Sequence, residues 1–235
     1  MILSHKYKFI FIKTFKTAGT SIEIFLSQHC ADVDIVTPIN PHVEPHIARN
    51  YKGFSNPLSE LLFFKGRNIR VQEKFFRSVL KHFLKRQKFY NHIPANLLIQ
   101  RIPKRTWNEY YKFCVVRNPW DLSLSHYHAS SQRSGKDITF DEYIRIGDFR
   151  LNYHWYTSGS GDLLLDEVVK YESLLDGLDK VFHKIGVPFK GTLDIRAKST
   201  YRREKTPYQD VYSDQQRKVI EKAFAKEITM HGYSF

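Results

Sequence analysis

Residues 7–29 read as a buried strand, a tight loop and the opening turns of a helix, and few folds accommodate that unit. Phe9, Ile10, Phe11 and Ile12 are apolar without alternation, the pattern of a short strand covered on both faces. Thr20 or Ser21 then opens a helix that carries Ile22, Phe25 and Leu26 on one side. Lys16, Thr17, Ala18 and Gly19 fill the turn between them. A helix start presents unpaired backbone N–H groups and a partial positive charge, so a loop this small is suited to phosphate or sulfate oxygens. Lys16 adds a full charge, and Thr17, Thr20 and Ser21 add hydroxyl donors. The unit predicts an α/β protein with a ligand at the C-terminal edge of its strands.

The loop is not a Walker A loop, because no glycine opens it and the lysine precedes Gly19 instead of following it. A second stretch, residues 111–127, repeats the design: an apolar strand at 113–116, then Arg117, then Pro119 as a helix-opening residue. Arg117 stands where a strand ends, and Ser125 follows eight residues later. That is a little over two helical turns, which returns its hydroxyl to the side of Arg117. Together, Lys-Thr-Ala-Gly-Thr-Ser and Val-Val-Arg-Asn-Pro-Trp-Asp with the later serine resemble the 5′-phosphosulfate loop and the 3′-phosphate motif of sulfotransferases that use 3′-phosphoadenosine 5′-phosphosulfate (PAPS). The likeness is to the carbohydrate-type branch, which includes the heparan and chondroitin enzymes.

Composition sets outer bounds. A chain of 235 residues, 42% hydrophobic and 15% aromatic, builds one sizeable core, so residues 1–235 are expected to form a single domain. Two cysteines, Cys30 and Cys114, do not make a disulfide framework and point to a reducing compartment. No apolar run reaches the length of a membrane span, and the first eight residues lack the apolar stretch of a signal peptide. A soluble, cytoplasmic protein is the expectation. The net charge of +13 favours anionic partners without choosing among nucleic acid, acidic polysaccharide, anionic membrane and a charged nucleotide; it also serves solubility.

Pro38, Pro41 and Pro45 make residues 30–45 loop-like. His42 and His46 lie on or just past this loop, and no cysteine or carboxylate cluster completes a metal site with them. Residues 54–106 form an insertion of distinct character. Val71, Phe75, Phe76, Val79, Leu80, Phe83 and Leu84 fall at helical spacing, with Lys74, Arg77, Lys81, Lys85 and Lys88 over much of the rest. From 65 to 105 there are twelve Lys or Arg against one acid, Glu73, a local charge of +11. The insertion is expected to form a basic helical cap beside the acceptor side of the cleft, the alternative being that Val71, Phe75, Val79 and Phe83 pack the helix onto the core or a second subunit with the lysines solvated outside. Short helices are expected at 96–101 and 103–110. Further on, Thr139 with Glu142 is a capping box, residues 163–171 read as a strand, and residues 173–185 read as a helix stopped by Gly186 and Pro188. A last helix runs from Ser213, paired with Gln216 in a second capping box, to about Gly232; Val219, Phe224 and Ile228 are its expected core residues.

What the resemblance implies is more specific. It covers residues 7–52 and 107–235 and implies a P-loop-like three-layer sandwich with a short, mostly parallel central sheet. It makes the chain a transferase that moves a sulfuryl group from PAPS to an acceptor hydroxyl, on a carbohydrate, leaving adenosine 3′,5′-bisphosphate and needing no metal. Lys16 with Thr17, Ala18, Gly19, Thr20 and Ser21 would hold the phosphosulfate, Lys16 acting on the transferred group. Arg117 and Ser125 would hold the 3′-phosphate, Tyr171 would lie near the adenine, and Lys198 and Arg202 would belong to the segment that covers the 3′-phosphate. His46, in the string His-Ile-Ala-Arg, matches the family's general base, with His42 as the weaker candidate. The implied partner is a hydroxyl-bearing acceptor such as an anionic glycan; contact with a membrane surface is an expectation from the charge of the insertion, which the resemblance leaves unexplained, and no specific nucleic acid and no oligomeric state follow. A basic nucleic-acid or anionic-surface binding protein without transferase activity is the competing reading, with the lysine and phenylalanine residues of 71–90 as its footprint.

Overall fold

The computed structural model describes residues 1–40, 43–64, 69–135, 138–193 and 206–235, with side chains described outside 64–76 and 133–134. His42, Arg196, Lys198, Arg202, Arg203 and Lys205 lie outside the described residues.

A five-stranded sheet runs in the order β3-β1-β2-β4-β5, from Ile2–Ser4 (β1), Phe9–Ile12 (β2), Ile35–Val36 (β3), Tyr111–Val116 (β4) and Glu167–Lys170 (β5). β2, β4 and β5 are parallel neighbours, and β1 is antiparallel to both β2 and β3. Four strands therefore point one way and β1 opposes them. Side chains alternate between two cores. Phe9, Phe11, Phe113 and Val115 face Ile22, Phe25 and Leu26 of α1 (Gly19–His29) together with residues that include Leu178, Val181 and Phe182 of the later α9 (Leu174–Ile185). Ile10, Ile12, Cys114 and Val116 face the opposite layer, which includes Leu97, Trp107 and Trp155. Burial on both faces is why β2 and β4 read as continuous apolar runs.

That opposite layer begins with the insertion: α2 (Pro57–Phe64), α3 (Ile69–Leu84), α4 (Ala95–Leu98) and α5 (Lys104–Glu109). α2 packs on α3 and α4. A buried carboxylate, Glu60, ties the insertion down: it accepts a hydrogen bond from Arg101 and pairs with His82 at 3.5 Å. Of the apolar residues expected to anchor α3, Val79 is buried, whereas Leu80, Phe83 and Leu84 stand in solvent. The inward positions of the helix include Val79 and His82, because the polar contact of Glu60 and the stacking of His82 on Tyr90 set its rotation.

A third cluster joins α6 (Pro119–Ser134) and α7 (Phe140–Ile146) to α10 (Asp214–Ala223) through Trp120, Leu122, Tyr143, Ile144 and Ile220. α8 (Tyr153–Tyr156) and α11 (Ala225–His231) complete the helices of the described residues.

Several boundaries differ from expectation. α1 opens at Gly19, ahead of Thr20 and Ser21. Residues 30–45 contain β3, which survives only because β1 and a bridge to Arg49 hold its two residues. The expected strand at 163–171 shrinks to β5, since Leu163 bridges back to Thr157 and Tyr171 enters a 3₁₀ turn, Tyr171–Ser173. The single last helix is two, broken at Phe224, and Val219 is 37% exposed while Phe224 is buried. Both cysteines are free thiols. No helix of the described residues is long and apolar enough to cross a membrane.

Candidate functional site

The three parallel strands end side by side, and each runs directly into a segment singled out above. β2 leads into Lys13 and the loop to Ser21, β4 into Arg117, and β5 into Tyr171.

The first loop is shaped by its backbone. Lys16 and Ala18 are left-handed, with φ of 62° and 56°, and Ala18 precedes α1 without any side-chain cap. No acidic residue occupies the first turn of the helix. Left-handed residues at such a turn point successive N–H groups into one concavity, an arrangement suited to an anion. Gly19 is required for a different reason: a Cβ there would lie 2.7 Å from Cγ of Lys13, whose stem crosses it. Thr14 ties the loop down by donating to the Val115 carbonyl, and its hydroxyl meets that of Thr17 at 2.8 Å. Asn152, 1% exposed, clamps the outer side: its Oδ1 accepts from Phe15 N at 2.8 Å and its Nδ2 donates to the Phe15 carbonyl at 3.0 Å.

Beneath the loop lies a buried charge group that sequence reasoning did not pick out. Lys13 Nζ donates to Glu23 at 2.5 Å, and the amino group of Met1 donates to the same carboxylate and to Thr37. Burial alone would raise the Glu23 carboxyl; Lys13 and the Met1 amino group overcome it and hold the pKa at about 2. The one available signal was a glutamate inside the otherwise apolar string Ile22, Ile24, Phe25 and Leu26. His46 is wholly enclosed near this group. Burial lowers its pKa first, and the Met1 amino group and Lys13 lower it further against the opposite pull of Glu23.

Arg117 reaches across to the first loop. Its Nη1 donates to the Lys16 carbonyl at 3.0 Å, its Nε donates to Asp121 at 2.8 Å, and its guanidinium lies 4.1 Å over the Tyr171 ring. Nη2 also contacts Asp121, at 2.7 Å. A guanidinium carries five N–H donors, more than these three contacts engage. Next to it, Asn118 caps α6 by accepting from Trp120 N, and its own N–H donates to Glu172 at 2.6 Å. Ser125 sits half-buried further along α6. The structure thus assembles Lys16, residues 17–21, Arg117 and Tyr171, residues far apart in sequence, along one edge of the sheet.

One more residue joins them without any sequence signal. His92 has a left-handed backbone, φ 58°, and its ring stacks on Phe15 at 4.2 Å. Its Nδ1 lies 3.0 Å from the Lys13 carbonyl, and its own carbonyl accepts from Trp155 Nε1 at 2.7 Å. Burial, then Lys13, drives its pKa well below the usual histidine value. A cavity of about 170 Å³ opens beside it, lined by residues that include Phe15, Ser78, Tyr90, Asn91, His92 and Trp155. Among the described residues, no group of three or more His, Cys, Asp or Glu is placed to hold a metal ion.

No family model matches the chain. A solved structure, a sulfotransferase from Alicyclobacillus acidocaldarius, is similar at 16% identity and a TM-score of 0.39, with 96% of each chain covered. A likeness of that depth carries no argument about individual residues or chemistry. An uncharacterized protein of Archaeoglobus fulgidus is 31% identical over 110 residues, which are 44% of this chain and 89% of that protein. By that match the chain belongs to the family of the Archaeoglobus fulgidus protein, whose description states no activity.

Proposed function

We propose that the protein is a PAPS-dependent sulfotransferase that sulfates a hydroxyl on a carbohydrate. The observation that carries the reading is the contact between two anion motifs 101 residues apart: Arg117 Nη1 on the Lys16 carbonyl, at adjacent strand ends. A nucleotide with phosphates on two separate ribose positions needs two anion sites a few ångströms apart, whereas the single polyphosphate of ATP needs one continuous cradle. In this reading the uncapped start of α1 and Lys16 hold the phosphosulfate, and Arg117 holds the 3′-phosphate by charge-assisted hydrogen bonds. Tyr171, already stacked on Arg117, borders the nucleotide base. Ser125, Lys198 and Arg202 are assigned to the same phosphate by the motif alone.

Sulfuryl transfer gives the protein little covalent work. The acceptor oxygen bonds to sulfur as the bond from sulfur to the 5′-phosphate breaks, and negative charge grows on the departing bisphosphate. Rate then comes from in-line positioning and from positive charge already in place, here the Lys16 ammonium and the partial charge of the α1 N–H groups. The +11 of residues 65–105 would draw an anionic glycan, or an anionic membrane surface, toward the same side of the sheet.

Thermal shift tests the nucleotide. Adenosine 3′,5′-bisphosphate at a hundredfold excess over its Kd should stabilise the fold by about 2.7 kcal/mol. ATP and a single-stranded oligonucleotide should do far less, and labelled sulfate should pass from PAPS to a glycan. Stronger stabilisation by the oligonucleotide, with no transfer, favours the binding-protein reading instead.

A further inference from the structure

Resting on that reading, we propose that the cavity between the insertion, the loop after β2 and α8 is the acceptor site, that it takes one hydroxyl-bearing ring, and that His92 receives the acceptor's proton.

The wall composition sets the ligand class. Phe15, Tyr90 and Trp155 supply flat aromatic surface, while Ser78, Asn91 and His92 supply polar edges. Pockets for drug-sized ligands run from about 300 to 1,000 Å³. A cavity of about 170 Å³ holds a single ring, such as a phenol or the end unit of a glycan, and leaves a longer chain outside among the basic residues of the insertion. Asn91 adds a specific demand. Its Oδ1 is buried and has no hydrogen-bond partner among the described residues. A ring hydroxyl donating to it would satisfy an acceptor that is otherwise stripped of water with nothing in exchange.

The case for His92 is geometric. A carbonyl oxygen only accepts, so the 3.0 Å contact with the Lys13 carbonyl requires that Nδ1 carry the hydrogen. In the neutral ring Nε2 is then the lone-pair nitrogen, the form a general base needs. Burial, with Lys13 and the Met1 amino group on the loop side, keeps it neutral against the opposite pull of Glu23, and Glu60, His82 and Tyr90 face it from the cavity wall. Its stacking on Phe15 sets it against the residue preceding Lys16, which holds the transferred group in the proposed function. The left-handed backbone is a strained conformation for a histidine, of the kind retained where a site requires it. His46, by contrast, is 0% exposed and does not line the cavity.

The step balances within these groups. The acceptor oxygen forms its bond to sulfur, the sulfur–oxygen bond to the 5′-phosphate breaks, and that electron pair leaves on the bisphosphate. The acceptor's proton ends on His92 Nε2 and passes to solvent after product release.

The test uses the full chain with PAPS and three probes: p-nitrophenol, methyl β-galactopyranoside and a sulfate-free glycosaminoglycan polymer. His92→Ala should lower kcat by about a hundredfold or more while bisphosphate affinity holds, and added imidazole should restore turnover. Wild-type kcat should be flat from pH 6.5 upward, and that of His92→Ala should climb with pH. If His92→Ala is too unstable to assay, Ser78→Phe decides, since it fills the cavity from α3 away from the nucleotide. It should raise acceptor KM at least tenfold for single-ring probes and leave bisphosphate affinity alone. Which single-ring probe turns over separates a phenol from a sugar. The proposal is overturned if only the polymer is sulfated and Ser78→Phe is silent, or if His46→Ala loses kcat while His92→Ala keeps it. Either result leaves the sulfotransferase reading standing; failure of wild-type enzyme to bind the bisphosphate removes both.

Discussion

α1 and α6 both follow a parallel strand at the centre of the sheet and both have a cation at their start, yet they treat that start in opposite ways. α6 is closed by its own residues. Asn118 caps it, Pro119 occupies the first position where an N–H would be wasted, and Asp121 stands in the first turn and pairs with Arg117. α1 has a left-handed alanine at its cap position and no acid in its first turn. Its glutamate sits a turn deeper, where it engages Lys13 beneath the loop. In the proposed function this difference would divide the labour of anion binding: at α1 the helix end itself would take the ligand, while at α6 the helix end is satisfied and the guanidinium of Arg117 would take its place.

The largest test of this division is the pair of carboxylates. Glu23→Gln leaves Lys13 buried with a neutral partner, which should cost about 3 to 5 kcal/mol of stability. Asp121→Asn breaks a pair nearer the surface and should cost about 1 kcal/mol or less. The sign of the pH dependence follows. Glu23 has a folded pKa near 2 against a reference of 4.5, so its contribution is complete above 4.5 and is lost as pH falls toward 2. Urea titrations of wild type and Glu23→Gln should converge across that window. Equal costs for the two substitutions would mean the two helix starts are built alike.

A smaller effect, on binding and turnover, separates the two cations. Lys16→Ala should lower kcat by about 10² to 10³ with bisphosphate affinity nearly kept, since its work is on charge that develops during transfer. Arg117→Ala should weaken the bisphosphate by about 1.5 to 3 kcal/mol in calorimetry. Unchanged affinity in Arg117→Ala sinks its assignment to the 3′-phosphate.

The sequence exposes α1's loop and hides what supports it, for a physical reason. Residues 9–12 announce a strand because a strand buried on both faces has no polar position, and the capping boxes at Thr139 and Ser213 are local patterns that form as read. β1 and β3, at three and two residues, are too short to show a period and exist only by pairing with each other and with β2. The site divides the same way. Lys16, residues 17–21 and Arg117, the proposed anion contacts, lie in contiguous motifs and so stand out by their spacing. His92 reaches Lys13 across 79 positions of chain and stacks on Phe15, and Asn152 reaches Phe15 across 137 positions, tertiary contacts that no local pattern encodes. Val219 misleads because the inward face of α10 is taken by its neighbour Ile220, which is wholly buried, while Val219 is 37% exposed.

The last expected effect bears most directly on α6. Asn118→Ala removes a cap worth about 1 kcal/mol, together with the contacts of Nδ2 to the Ser234 carbonyl at 2.9 Å and the Tyr208 hydroxyl at 3.2 Å. For a chain of this size 1 kcal/mol corresponds to about 2 to 4 °C in Tm. If the helix start is purely structural, Tm falls by that amount and bisphosphate affinity does not move, because Arg117 keeps Asp121, the Lys16 carbonyl and Tyr171. The reverse pattern, a tenfold loss of affinity at constant Tm, would place a nucleotide phosphate on the N–H groups of α6 itself. α1 and α6 would then be two copies of one device, and the contrast between an open and a closed helix start would be wrong.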